Sequence, residues 1–214
     1  TIRGGFVMEV LNAYAGIGGN RQRWDNCQVT AIESDPKIAA VYQKLYPNDI
    51  VIIGDAHEYI RANYAKYDMI WSSVPCQTHS KMCKATRHPN RKYPNMMLYE
   101  EILFLQHFYK GVWVVENVVP FYEVLIPAYQ CGRHLFWSNI NLEGLQDVMR
   151  PKNFINSTNL AGRAALQEWL GVYFDEVLYY AGNHCPAQVL RNAVHPLLGD
   201  EIYRRALAHI DGEQ

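Results

Sequence analysis

Two side chains in this sequence have the types and the spacing to carry out covalent chemistry. Cys76 follows a short apolar run, Met69–Ser72, and Glu116 follows another, Val112–Val115. If both runs form neighbouring strands, the thiol and the carboxyl group meet in one cleft as a nucleophile and a proton donor. A lone cysteine is more often a small buried apolar residue. Here Pro75 fixes the backbone beside the thiol and the next residues are polar and basic, which favours a reactive role.

A glycine-rich turn and several acidic residues follow the first three apolar runs. The first run ends in Ala15-Gly16-Ile17-Gly18-Gly19, where glycines permit a tight turn and the close approach of a ligand to the backbone. Glu33 and Asp35 end the second run, and Asp55 follows the third. We expect Glu33 to contact a ligand and Asp35 to cap the next helix. A glycine turn before a helix is also a common structural solution, so it does not define a site alone.

Strands and helices alternate in the part of the chain that must position these residues. Turn-bounded apolar runs predict strands at Val7–Tyr14, Val29–Ile32, Ile50–Ile53, Met69–Ser72 and Val112–Val115. Helical patterns separate most of them, as at Pro36–Tyr46 and Met96–Tyr109. The alternation predicts an α/β fold with a mostly parallel sheet and helices on both faces. Ligands of such sheets bind beyond the carboxyl ends of the strands, where the residues above lie.

The last third of the chain is less regular. It predicts a strand at His134–Ile140, a short helix at Ala164–Leu170, and a closing helical segment at Ala187–His209 with a break near Pro196. These patterns divide the chain into three parts. They are a core at 8–140, an inserted segment at 141–186, and a helical segment at 187–214 that completes the core.

Composition limits the classes of protein to consider. A length of 214 residues favours one domain, and 20 Lys and Arg against 21 Asp and Glu disfavour a nucleic-acid binder that relies on overall positive charge. No apolar run approaches the ~18–20 residues that span a bilayer, and Met8 is the expected natural start. The five cysteines form no CxxC pair, which argues against a disulfide framework and a zinc site. We expect a soluble intracellular protein without a metal or a membrane partner.

The motifs are more specific together than singly. In chain order AGIGG, IESDP, GD, PCQ and ENV resemble the signature set of the C5-cytosine-specific DNA methyltransferases, with PCQ and ENV the most discriminating pair. Residues 132–139, GRHLFWSN, are similar to the late arginine motif of the family, and residues 191–196, RNAVHP, to its final Asn-Ala-Val motif. The resemblance implies a Rossmann-like methyltransferase fold that uses S-adenosylmethionine. It also implies a small, solitary or phage-like enzyme in the cytoplasm of a bacterial or phage-infected cell.

The resemblance implies catalytic roles for five residues. Cys76 attacks C6 of a cytosine flipped out of duplex DNA, Glu116 acts at N3, and the methyl group passes to C5. Arg133 holds the flipped base and orients Glu116. Asn117 shapes the loop, and Gln77 completes the set.

The resemblance also implies a binding site for S-adenosylmethionine. Glu33 holds the ribose, Asp55 accepts from the adenine amino group, and Tyr14 lies beside the adenine. The C-terminal motif closes the methionine end. The full set is Tyr14, Ala15, Gly16, Ile17, Gly18, Gly19, Glu33, Ser34, Asp55, Ala56, Pro75, Asn192 and Val194.

A basic loop follows the PCQ motif, with five Lys or Arg and no acid between residues 80 and 94. We expect it to contact DNA phosphates as a lid over the flipped base, although a solvated basic loop has the same composition. The expected DNA-binding residues are Ser80, Lys81, Lys84, Arg87, Arg91 and Lys92. The resemblance implies that residues 141–186 are a reduced target-recognition segment. Its shortness predicts a short or relaxed target sequence, and the chain is expected to be a monomer.

Five positions depart from the family pattern, and alternatives to a DNA methyltransferase stay open. Asn12 replaces the usual Asp of the first motif, Val74 and His79 replace the usual Pro and Phe around PCQ, Cys131 replaces the first arginine of the late motif, and Arg191 replaces the usual Gly before Asn192. One alternative is an RNA (tRNA) cytosine-5 methyltransferase, since RNA-acting relatives share the chemistry. A second is transfer of a larger group from a carboxylated sulfonium donor paired with Arg191. A third is a catalytically inactive DNA-binding relative.

Overall fold

Seven strands form one mixed sheet in the structure, a computed structural model that describes residues 7–81, 93–152, 154, 160–179 and 185–213. The strands are β1 (Met8–Ala13), β2 (Cys27–Glu33), β3 (Ile50–Ile53), β4 (Met69–Ser73), β5 (Val112–Val118), β6 (Tyr129–Cys131) and β7 (His134–Ser138). Their order across the sheet is β3-β2-β1-β4-β5-β7-β6. Strands β1 to β5 are parallel, and β7 is antiparallel to both of its neighbours. The mostly parallel α/β fold predicted from the alternating pattern is confirmed.

Helices cover both faces of this sheet. They are α1 (Pro36–Leu45), α2 (Ala56–Asn63), α3 (Met97–Phe108), α4 (Leu160–Leu170), α5 (Gln188–Asn192) and α6 (Pro196–Glu213). Because successive strand residues point to opposite faces, Val10 packs with Leu198 and Ile202 of α6, whereas Leu11 packs on the face that α2 and α3 cover. In the inserted segment, Leu166 of α4 belongs to the same apolar cluster as Ile38 of α1.

The observed bounds differ from the predicted ones in ways that matter for the site. Strand β5 continues to Val118, so Glu116 lies within the strand and not after it. Pairing with β7 extends the strand, since Glu116 is the register partner of Phe136. Helix α4 begins four residues before the predicted Ala164, at Leu160. The closing segment is broken before Pro196, as predicted, because proline cannot continue the preceding helix.

Candidate active site

One cavity of about 360 Å³ opens at the carboxyl ends of the parallel strands. A volume of this size lies within the usual range for small-molecule sites. Most of the residues predicted to act in catalysis or donor binding line it. They are Tyr14, Ala15, Gly16, Ile17, Gly19, Glu33, Ser34, Asp55, Ala56, Pro75, Cys76, Gln77, Glu116, Arg133, Asn192 and Val194.

The glycine turn after β1 forms one wall of the cavity. Gly16 and Gly18 have φ values of 55° and 71°, the left-handed region that glycine adopts without strain. A Cβ on Gly16 would meet no atom within 4 Å, whereas a Cβ on Gly18 would collide with the rings of Tyr42 and Tyr46. Gly16 therefore faces open space in the cavity and Gly18 faces the protein. Gly18 supports the turn and is not among the cavity-lining residues.

The two acids at the end of β2, Glu33 within the strand and Asp35 after it, have separate roles. Oε2 of Glu33 accepts from the Gly16 N–H at 2.9 Å, and Oε1 accepts from the Asp35 N–H at 2.9 Å. Asp35 caps α1 by accepting from the backbone N–H groups of Lys37 and Ile38, as predicted. Glu33 is thereby held between β2 and the glycine turn, at the cavity wall.

Asp55 caps α2 in the same manner, because its Oδ1 accepts from the Glu58 N–H at 3.1 Å. It lines the cavity beside Gly54, where a Cβ would also meet no atom within 4 Å. The glycines that leave open space and the acids beside them fit a small donor that carries hydroxyl and amino groups. S-adenosylmethionine is a molecule of this kind, and the residues present fit it.

Cys76 lies in a tight turn after β4, and Asn117 of the neighbouring strand β5 binds the start of this turn. The Cys76 carbonyl accepts from the N–H groups of His79 and Ser80 at 3.0 Å. Nδ2 of Asn117 donates to the Val74 carbonyl at 3.0 Å, and its Oδ1 accepts from its neighbour Val118 N–H. Asn117 is buried, lies outside the cavity lining, and holds the loop that carries the thiol.

Glu116 and His134 form a buried pair at the cavity. Nδ1 of His134 lies 2.6 Å from Oε1 of Glu116, and both side chains are less than a tenth exposed. The antiparallel register sets Glu116 opposite Phe136 and Val118 opposite His134, so the acid and the histidine are diagonal neighbours on one face of the sheet. A histidine at the start of a strand carries no signal of its own. The pairing of His134 with Glu116 follows from the β5–β7 register, which the sequence pattern does not contain.

Arg133 has a different set of partners from the one predicted. Its Nη2 donates to the carbonyls of Arg191 and Ala193, and its guanidinium lies 5.2 Å from the ring centre of Phe154. Among the described residues no hydrogen bond joins Arg133 to Glu116, although the two charges interact, and the role of Arg133 in orienting Glu116 stays a prediction. Arg133 lies in the turn before β7, and its guanidinium is directed to the C-terminal segment.

The charge of Arg133 still acts on the catalytic candidates. Burial lowers the pKa of Arg133, and the nearby Glu116 and Cys76 oppose that lowering. A cation close to Cys76 favours the thiolate, which is the reactive form of cysteine. The arrangement brings a thiol, a carboxyl group and a cation to one cavity.

A buried polar network behind Tyr14 was not predicted. Glu101 of α3, which is 1% exposed, accepts from the Tyr14 hydroxyl at 3.1 Å and from the Ser72 hydroxyl. Its Oε2 also lies 3.1 Å from Nδ1 of His57 in α2. Burial raises the pKa of Tyr14, and the charge of Glu101 raises it further, so the phenol stays neutral. The signal in the sequence was an acid within the apolar stripe formed by Leu98, Ile102 and Leu105.

The expected DNA-binding loop is described only at its start. The Ser80 backbone pairs with Pro120, and Lys81 is exposed. The other expected phosphate contacts lie outside the described residues. They are Lys84, Arg87, Arg91 and Lys92.

Two of the departures from the family pattern have structural explanations. Cys131 is 3% exposed in the apolar core, and burial raises the pKa of its thiol, which keeps it unreactive. Arg191 donates to the Gln188 side chain at 2.9 Å and to the Cys185 sulfur at 3.0 Å. It is not among the described residues that line the cavity, so the geometry does not favour a pairing with a carboxylated donor.

A third departure lies beneath the glycine turn. Oδ1 of Asn12 accepts from Nδ2 of Asn20 at 2.9 Å, which links β1 to the end of the turn. Asn12 is 1% exposed and does not reach the cavity lining. Its substitution for aspartate therefore acts on the support of the turn.

Comparison with known families decides the assignment of the chain. The family described as C-5 cytosine-specific DNA methylase matches residues 8–121, more than half of the 214. The chain belongs to the C-5 cytosine-specific DNA methylase family. The match includes Cys76 and Glu116, whereas Arg133, Asn192 and Val194 follow it. No curated protein sequence matches this chain.

Solved structures similar to this chain include a mutant of DNMT2 from Spodoptera frugiperda, with 20% identity, a TM-score of 0.38, and coverage of 52% of this chain and 35% of the other. A conserved hypothetical protein of Streptococcus pyogenes has 14% identity, a TM-score of 0.40, and coverage of 63% and 86%. A SAM-dependent methyltransferase of Agrobacterium tumefaciens has 15% identity, a TM-score of 0.36, and coverage of 57% and 41%. The chain thus spans about a third of the length of the DNMT2 chain.

Two further observations on this chain concern metals and membranes. Among its described residues, no group of three or more His, Cys, Asp or Glu is placed to hold a metal ion. In the same part of the chain, no helix has the length and apolar character needed to cross a membrane.

Proposed function

We propose that this protein is an S-adenosylmethionine-dependent DNA cytosine-5 methyltransferase. One observation carries the proposal: the thiol of Cys76 and the carboxyl group of Glu116 line the same cavity as the glycine turn and Glu33. A nucleophile, a proton donor and a donor-binding wall in one cavity are what a group transfer to a ring carbon requires. Membership of the methylase family supports the same chemistry.

Cytosine C5 is a poor nucleophile, and the residues at the cavity can raise its reactivity. The Cys76 thiolate forms a bond to C6 while the Glu116 carboxyl group gives its proton to N3, which produces an enamine with electron density on C5. Arg133 favours the thiolate before the attack. S-adenosylmethionine supplies a methyl group on a sulfonium, which C5 accepts. Transfer of the C5 proton to water, return of the N3 proton to Glu116 and departure of the Cys76 thiolate then release 5-methylcytosine.

The donor would be held by groups on this chain that approach the cavity from different strands. We assign Gly16 and its neighbours in the turn to the methionine portion, Glu33 and Ser34 to the ribose, and Asp55 with Ala56 to the adenine. Asn192 and Val194 approach from the C-terminal segment. Oδ1 of Asn192 accepts from Nε2 of Gln188 at 2.8 Å, which leaves its amide N–H group available to the donor.

The cytosine ring must be accessible to the Cys76 thiol, and this determines how the target base would be bound. A thiol can reach C6 only when the base leaves the stack, so the target cytosine is flipped into the cavity. We propose that the basic residues after Cys76 contact the phosphates of duplex DNA. We also propose that the target sequence is short or relaxed.

Transfer of labelled methyl groups from S-adenosylmethionine to duplex DNA tests the function. We expect transfer by the wild type, none by Cys76→Ala, and about 10²–10⁴-fold slower transfer by Glu116→Gln, because the amide cannot give up a proton. Cys27→Ala, which changes a thiol outside the cavity lining, should behave as the wild type. A covalent adduct with 5-fluorocytosine DNA should form in the wild type and be lost in Cys76→Ala.

Parallel reactions with tRNA distinguish the nucleic acids. Transfer to tRNA and not to DNA would replace the DNA assignment and keep the cysteine chemistry. Normal binding of S-adenosylmethionine without transfer to either nucleic acid would overturn the function.

A further inference from the structure

We infer that His134 is a positioning residue that fixes the Glu116 carboxyl group for its contact with cytosine N3; the inference rests on the proposed function. A carboxyl group has two oxygens, and only one of them can face the base. The 2.6 Å contact assigns Oε1 to Nδ1 of His134. Within the described residues, Oε2 of Glu116 has no hydrogen-bond partner, and it is the oxygen left for N3.

The imidazole is itself held in place. His134 is 6% exposed, and its ring stacks on Phe136, with ring centres 6.0 Å apart and an angle of 29° between the planes. Strand β7 lies between β5 and β6, so the backbone at His134 pairs on both sides, with Val118 and with Cys131. A hydrogen-bond donor fixed in this way holds Glu116 before the base arrives, so little reorganisation remains for the reaction.

The contact should strengthen as the reaction proceeds. When the Cys76 thiolate adds to C6, the Oε2 proton of Glu116 moves to N3 and the carboxyl group becomes a carboxylate. The Nδ1–H group of His134 then donates to a charged acceptor, and charge-assisted hydrogen bonds are about twice as strong as neutral ones. When the thiolate leaves C6, the proton returns from N3 to Oε2 and the first state is restored.

An interaction that strengthens in the transition state affects kcat and not the binding of substrates. His134→Leu removes the imidazole N–H group and keeps an apolar side chain beside Phe136. His134→Asn can place an amide N–H group close to the position of Nδ1. Neither variant alters the Cys76 loop or the glycine turn.

The experiment compares kcat and KM for methyl transfer to duplex DNA, with the affinity for S-adenosylmethionine measured by calorimetry and folding by thermal unfolding. We expect His134→Leu to lower kcat by about tenfold or more, with KM and donor affinity within about twofold of the wild type. His134→Asn should recover most of the rate. His107→Leu, at an exposed histidine of α3, is the matched control and should be unchanged.

The outcomes separate this inference from the proposed function. An active wild type with unchanged kcat in His134→Leu overturns the inference alone, as does a His134→Asn variant that folds but is as slow as His134→Leu. If His134→Leu does not fold, the kcat of His134→Asn decides. A higher KM with an unchanged kcat counts against a positioning role. A wild type that transfers nothing overturns the proposed function and this inference with it.

Discussion

At the scale of single residues, Gly16 is the point where the glycine turn faces the cavity. A Cβ there would enter open space, so no packing contact within the protein excludes a side chain at this position. We therefore predict that Gly16→Ala lowers the affinity for S-adenosylmethionine by about tenfold or more, because the methyl group occupies space that the donor needs. Isothermal titration calorimetry measures this loss. The positive φ of 55° adds a cost of about 1–2 kcal/mol to folding.

A substitution at Gly144 separates the two effects of Gly16→Ala, the loss of affinity for S-adenosylmethionine and the cost to folding. Gly144 has a φ of 75°, a Cβ there would also meet no atom within 4 Å, and it does not line the cavity. Gly144→Ala should therefore lose a similar free energy of unfolding and keep the affinity for the donor. An unchanged affinity in Gly16→Ala, or an equal loss in both variants, would contradict the prediction.

At the scale of elements, the parallel strands and the residues after them could be predicted because buried parallel strands are short apolar runs. Cys76, Glu33 and Asp55 follow such runs, and the sequence alone directs attention to them. Strand β6 has three residues, too few to show a period, and it was not predicted. His134 and Glu101 were missed because their roles depend on partners from distant elements. Their function follows from the β5–β7 register and from the packing of α3, which local patterns do not contain.

The contact between α2 and α3 predicts a pH-dependent contribution to stability. The hydrogen bond to Glu101 raises the pKa of His57 above its unfolded value, against the opposing effect of burial. The stabilisation is fully present below the unfolded pKa and is lost as pH rises through the folded pKa. His57→Gln should therefore cost about 1.5–3 kcal/mol at pH 5.5, the usual range for a hydrogen bond to a charged group, and less at pH 8.5. Urea unfolding at both pH values measures the difference.

His195 provides a control of opposite sign. Burial lowers its pKa, and its Nδ1 accepts from the Leu197 N–H at 3.1 Å, which a protonated ring cannot do. Its contribution is present above the unfolded pKa and is lost as pH falls through the folded pKa. His195→Gln should thus lose more stability at pH 8.5 than at pH 5.5. The same pH trend in both variants would show that these pairs do not set the dependence.

At the scale of the whole molecule, the C-terminal segment closes on the first turn of the chain. The indole N–H of Trp24 donates to the Gly199 carbonyl at 3.1 Å, and a Cβ on Gly19 would lie 2.5 Å from the Val194 carbonyl. A Cβ on Gly199 would lie less than 3.0 Å from the Asn20 backbone, which cannot move as a flexible side chain can. The glycine turn and the C-terminal segment therefore pack with no space for a side chain between them.

This closure predicts that Gly199→Ala lowers both the free energy of unfolding and the affinity for S-adenosylmethionine. The methyl group forces α6 and the turn apart, and such overpacking costs about 1–3 kcal/mol. Gly212→Ala lies in the same helix, where a Cβ would meet no atom within 4 Å, and it should be neutral or up to about 1 kcal/mol more stable. Urea unfolding and calorimetric titration of both variants measure the two effects. Wild-type stability in Gly199→Ala would mean that α6 and the glycine turn adjust independently, and a loss of stability with full donor affinity would mean that the C-terminal segment does not set the shape of the cavity.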